Sequence, residues 1–198
     1  TDNYNEATAA LLSFKGDISG KVTEALKATT GQQQNRLLQL AATKCIKSAA
    51  PIVFDLAKDN TVALSALRGV VGKNDISKVA GLLDAANAAQ VGDYQKALSA
   101  SIKSLDAKQQ YQAVSDAMKK ATNKERFYPI LAATNTNESV EELQKIGSQT
   151  AINALLRSTN LKAAAPLLNA AKAGDERAQL AQDMYFYRIK KYIGAFAA

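Results

Sequence analysis

One short phrase recurs along this chain and constrains its fold more than any other feature. It reads Ile46-Lys47-Ser48-Ala49-Ala50-Pro51-Ile52-Val53, then Ile76-Ser77-Lys78-Val79-Ala80-Gly81-Leu82-Leu83, then Leu161-Lys162-Ala163-Ala164-Ala165-Pro166-Leu167-Leu168, with a degenerate copy at Tyr128-Pro129-Ile130-Leu131. All three prolines of the chain occupy this slot. The slots at 51, 81, 129 and 166 are separated by 30, 48 and 37 residues, and each is followed 13 to 17 residues later by a leucine of the next helical run: Leu64, Leu98, Leu143 and Leu180. Periods of that size belong to stacked helical hairpins, each too small to bury its apolar face alone.

The runs between the slots have helical spacing. Leu64, Leu67 and Val71 fall at i, i+3 and i+7, and Leu98, Ile102 and Leu105 at i, i+4 and i+7, which puts each trio on one helix face. Gly and Pro number only 10 and 3, so little breaks the strong helix formers Ala, Leu, Lys and Gln. The expected class is all-α: an α-solenoid of stacked antiparallel hairpins over 1–198 as a single domain, with 1–30 as a helical leader and 31–193 forming four to five units. A long helix is expected after Gly31 with Leu37, Leu38, Ala41 and Cys45 inward, and an inserted helix from Lys108 to Ala121 where the repeat is longest. Lys58-Asp59-Asn60-Thr61, Gly72-Lys73-Asn74-Asp75, Gly92-Asp93, Thr134-Asn135-Thr136-Asn137 and Gly174-Asp175 read as breaks between helices, where Gly supplies the stop and an Asp, Asn, Ser or Thr oxygen caps the next helix. Pro51 is expected in a first turn, and Pro166, counted from an Asn160 cap, deeper in its helix and bending it.

The chain carries a net charge of +7. Its basic residues are mostly Lys and dispersed, with the densest cluster at Lys119, Lys120, Lys124 and Arg126, so the expected effect is weak, salt-sensitive attraction of polyanions. There is no histidine and one cysteine. That excludes Ser-His-Asp and Cys-His nucleophilic sites, zinc sites that need imidazole or several thiolates, and an intrachain disulfide. Cys45 reads as core filler. Glu138, Glu141 and Glu142 cluster, but a cap at Thr136 or Asn137 places them in the first turns of a helix, where negative charge complements the helix dipole. No phosphate-binding glycine loop is present, since Gly69-x-x-Gly72 is too short. The expectation is therefore no catalytic residues, no metal and no cofactor. No apolar run reaches the roughly 18 residues a membrane span needs. A chain beginning at Thr1 reads either as one whose targeting segment has been removed or as part of something longer.

The C-terminal run is the most aromatic. Tyr185, Ile189, Tyr192 and Phe196 form one stripe that reads as core, leaving Tyr187, Arg188 and Lys191 on an exposed edge. Either a protein partner, an adjoining domain or a second copy docks there, or the end is one packed helix with a ragged tail.

Val62-Ala63-Leu64-Ser65-Ala66-Leu67-Arg68-Gly69-Val70-Val71-Gly72, followed by Asn74-Asp75 and Val79-Ala80-Gly81-Leu82-Leu83, resembles the HEAT-like repeats of phycobilin-lyase-type helical arrays. The resemblance covers about residues 31–193, with one clear unit. It implies a non-catalytic scaffold or protein-interaction module, part of a larger protein. A branch of the family that removes alkylated bases from DNA makes a nucleic-acid-binding glycosylase the alternative. The resemblance also leans towards a bacterial extracytoplasmic setting, in the periplasm or at the cell surface.

Overall fold

The computed structural model describes residues 2–197, with the side chains of 2–5, 161, 164, 166, 167, 170, 177, 181, 185, 188, 189, 192, 193 and 195–197 outside the description. Its described residues are helical and contain no strand. They gather into two compact units, residues 1–130 and 131–198.

The first unit runs α1 (Asp2–Ser13), α2 (Ser19–Ala28), α3 (Gly31–Thr43), α4 (Ala50–Leu56), α5 (Thr61–Val70), α6 (Ile76–Ala85), α7 (Val91–Lys103) and α8 (Ala107–Lys120), and ends within α9 (Tyr128–Ala133). Inside it α3 packs on α5 and α5 on α7, while α4 packs on α5 and α6 on α7. Leu38 of α3, Leu67 and Val70 of α5, Leu83 of α6 and Leu98 of α7 are fully buried. These are the positions that the 3.6-residue period selects, and burying each stabilises the fold by about 2 kcal/mol. The helix expected from Lys108 to Ala121 is α8, with Val114 and Met118 inward. The second unit comprises α10 (Asn137–Ile146), α11 (Gln149–Leu155), α12 (Ala165–Lys172) and α13 (Glu176–Ala197).

The repeated phrase has a structural cause that the residue types hide. Each copy marks a 3-10 turn running directly into an α-helix: Lys47–Ala49 into α4, Lys73–Asp75 into α6, Lys124–Phe127 into α9 and Leu161–Ala164 into α12. Pro51, Pro129 and Pro166 are each the second residue of their helix, where the missing amide hydrogen has no partner to lose. Pro166 therefore begins a helix instead of bending one. Asn160 caps the 3-10 turn ahead of it, its side chain accepting the Lys162 amide at 2.9 Å. Gly81 is out of register with the prolines. It lies mid-α6, and Ser77 is the second residue of that helix.

Most of the polar breaks are caps. The Asn60 side chain accepts the amides of Val62 and Ala63, Thr136 that of Ser139, and Asp175 that of Ala178. Gly92-Asp93 is the exception, because both residues lie inside α7. The turn before α7 is closed by Asn87 and Gln90, whose side chains accept each other's backbone amides at 3.1 and 3.3 Å in the manner of a capping box.

Cys45 is exposed, which corrects its expected burial. It sits just past α3 with φ of 54°. The amide of Ile46 donates to Ala41 O at 2.9 Å and that of Cys45 to Ala42 O at 3.2 Å, the paired bonds of a left-handed helix stop. Glycine fills such a position without strain, so Cys45→Gly is expected to raise stability by about 1 kcal/mol, read as a higher urea midpoint with an unchanged slope.

Candidate functional site

The sequence-predicted basic cluster does not form a patch of one sign. Arg126 is half-buried and turned inward, its guanidinium donating to the carbonyls of Leu83 at 2.8 Å and Asp84 at 2.7 Å. These are carbonyls at the C-terminal end of α6, where a helix leaves acceptors without intrahelical donors and cations are favoured. Asp84 completes the clasp, its carboxylate accepting the amides of Thr122 at 3.0 Å and Asn123 at 2.6 Å. Those two backbone bonds hold its carboxyl below the usual carboxylate range. Lys119 lies 3.5 Å from Asp116, whose carboxyl is lowered first by the Gln112 side-chain amide at 2.8 Å. Lys120 shares a groove with Asp84 and Asp116, and Lys124 is exposed next to Glu125. Carboxylates thus stand among all four cations.

On α13, Tyr187 is 68% exposed and Lys191 is exposed as well. The Arg188 side chain and the Tyr185, Ile189, Tyr192 and Phe196 stripe lie outside the described residues. Glu138 is the second residue of α10 behind the Thr136 cap, and Glu141 lies 3.8 Å from Lys162 with both side chains exposed. Among the described residues no group of three or more His, Cys, Asp or Glu is arranged to hold a metal ion, and no helix is long and apolar enough to cross a membrane.

A cationic surface appears elsewhere, on the outward side of α3, α5 and α7. Arg36, Gln39 and Thr43 fall at i, i+3 and i+7 on α3; Thr61, Ser65 and Arg68 at i, i+4 and i+7 on α5; Lys96, Ser99 and Lys103 at i, i+3 and i+7 on α7. Three grooves follow one another across this face. The first, of about 420 Å³, includes Arg36 and Gln39; the second, of about 380 Å³, includes Gln39, Ser65 and Arg68; the third, of about 640 Å³, includes Arg68, Lys96 and Lys103. Gln39 and Arg68 each belong to two grooves, which makes the face continuous. The three helices carry four cations and a single carboxylate, Asp93, which lies 3.4 Å from Lys96. That pair offsets one of the four charges, so the three helices keep a net positive charge that draws anions to the face. Sequence reasoning missed this site because its cations come from three separate helices.

Curated proteins share a short stretch of sequence with the chain. An acetate kinase from Bacteroides thetaiotaomicron is 69% identical over 32 residues, covering 16% of this chain and 8% of that enzyme. One from Caldicellulosiruptor saccharolyticus is 66% identical over 32 residues with the same coverage, and one from Oleidesulfovibrio alaskensis 69% over 29 residues, covering 15% and 7%. The chain spans less than a tenth of the length of these relatives. No family model matches the chain, and no solved structure matches it. The expectation of a non-catalytic scaffold, with a DNA-base glycosylase as its alternative, is corrected by this finding: the relatives are enzymes named acetate kinase, not repeat scaffolds or glycosylases.

Proposed function

We propose that the chain serves an enzyme by binding its small anionic substrate, a carboxylate or a phosphate compound, on the α3–α5–α7 face. The observation that carries this reading is the gathering of Arg36, Arg68, Lys96 and Lys103 on three adjoining helices that hold one carboxylate. Arg offers a planar fork of donors matched to the paired oxygens of either anion, and Lys adds a mobile point charge. The short stretch shared with acetate kinases supports the same ligand classes. The HEAT-like affiliation belongs to this proposal too, supported by the packing of α3 on α5 on α7 with α4 and α6 intervening in sequence.

Isothermal titration of the protein with inorganic phosphate and with acetate at low ionic strength tests the reading. The expected dissociation constant is on the order of 1 mM, weakening as salt rises. The double variant Arg68→Gln/Lys103→Gln is expected to bind at least about tenfold more weakly, because it removes two of the three charges of the third groove. Equal binding by the variant, or none by the parent protein, would overturn the proposal.

A further inference from the structure

The third groove combines two kinds of surface. Arg68 and Lys103 are exposed at its rim with Lys96, and Lys96 is paired with the half-buried Asp93 at 3.4 Å. The floor is of a different chemistry: Ala100, Pro129 and Ile130, the last only 3% exposed. Gly69 and Gly92 line the same groove without side chains, and a Cβ placed on Gly92 would meet nothing within 4 Å. The volume of about 640 Å³ exceeds what a bare oxyanion fills, and the groove, open to solvent, leaves room for an organic substituent beside the anion.

We infer that this groove takes a phosphate monoester bearing an apolar substituent, with the dianion between Arg68 and Lys103 and the substituent against Ala100, Pro129 and Ile130. The inference rests on the anion-binding reading above and adds the ligand's second half. Three cations with no carboxylate in the lining match a dianion better than a monoanion, because the Coulomb term scales with the product of the charges. The Arg68 fork meets two phosphate oxygens at once. An apolar substituent leaves water for the alanine, proline and isoleucine floor, which a bare phosphate does not do.

Calorimetric titration with phenyl phosphate, inorganic phosphate and phenol separates the parts. Phenyl phosphate is expected to bind about tenfold more tightly than inorganic phosphate, and phenol not measurably. Ala100→Gln, which fills the floor, is expected to abolish the preference for phenyl phosphate while leaving inorganic phosphate within about twofold. Pro129→Gln, at another residue of the same floor, takes its place if circular dichroism shows that Ala100→Gln does not fold. Equal affinity for the two phosphates would overturn the inference and leave the anion-binding face standing, whereas failure of both to bind overturns the two together. A preference that survives the floor substitution would also overturn it, by placing the phenyl group elsewhere.

Discussion

Gly69→Ala is expected to destabilise the protein by about 3 kcal/mol, a fall of roughly 8 °C in the thermal midpoint. The reason is the close approach of α5 to α3 at this residue. Gly69 lies in the last turn of α5, and a Cβ built on it would come within 2.5 Å of Ala42 Cα and 2.6 Å of Ala42 C on α3. Those are backbone atoms of a packed helix and cannot swing aside as a side-chain tip does. To admit a methyl group α5 must move away from α3, which also disturbs the Lys47 ammonium that donates to Gly69 O at 2.9 Å and Val71 O at 2.5 Å. Alanine's better intrinsic helix propensity offsets less than about 1 kcal/mol of this. Gly81→Ala is the control. Its Cβ would meet nothing within 4 Å in the middle of α6, so it is expected to gain roughly 0.5–1 kcal/mol. Chemical denaturation of both variants decides the matter, and the close approach is not as described if they shift stability in the same direction.

The helix faces were readable from the sequence because burial selects them one residue at a time. Spacing alone puts Leu64, Leu67 and Val71 on one helix face; all three are buried, but Val71 lies just past the end of α5 in extended backbone. The register of the repeat was harder. Ile46-Lys47-Ser48 and Ile76-Ser77-Lys78 resemble each other in residue type, yet Ile46 precedes a 3-10 turn and Ile76 follows one. Small apolar residues suit both conformations, so composition could not separate them. The division of labour among the cations was also hidden. Lys44, Lys47 and Arg126 donate to carbonyls at or beyond helix C-termini, and Arg36, Arg68, Lys96 and Lys103 share the outer face. Arg36 and Arg68 are 32 residues apart, and Arg68 and Lys96 are 28 apart. Only the packing of one hairpin on the next makes neighbours of them, and no local pattern in the chain carries that information.

Arg126→Ala is expected to cost about 2 kcal/mol, the second largest effect, because it leaves the Leu83 and Asp84 carbonyls without the donor that closes the end of α6. Gln95, whose amide donates to Arg126 O at 2.8 Å, holds the backbone of the turn in place, so the loss should stay local. Arg126→Lys is expected to recover part of it, since an ammonium reaches one carbonyl but not both at the guanidinium's geometry. Asp84→Asn tests the other half of the clasp, with an expected loss of about 1 kcal/mol at neutral pH once solvent screening of this half-exposed group is allowed for. The two halves differ in their pH response. The folded-state pKa of Asp84 lies below its ordinary value of 3.8, so the folded protein holds the charged form more strongly than the unfolded chain does. Its contribution is therefore complete above the ordinary carboxyl value and disappears as pH falls through the lowered folded value. Urea midpoints taken from pH 6 down to pH 2 should show the parent protein approaching Asp84→Asn at the acid end, while the deficit of Arg126→Ala persists there because guanidinium does not titrate in that range. A constant gap between the parent protein and Asp84→Asn across the whole range would show that the carboxylate does not hold the turn through its charge.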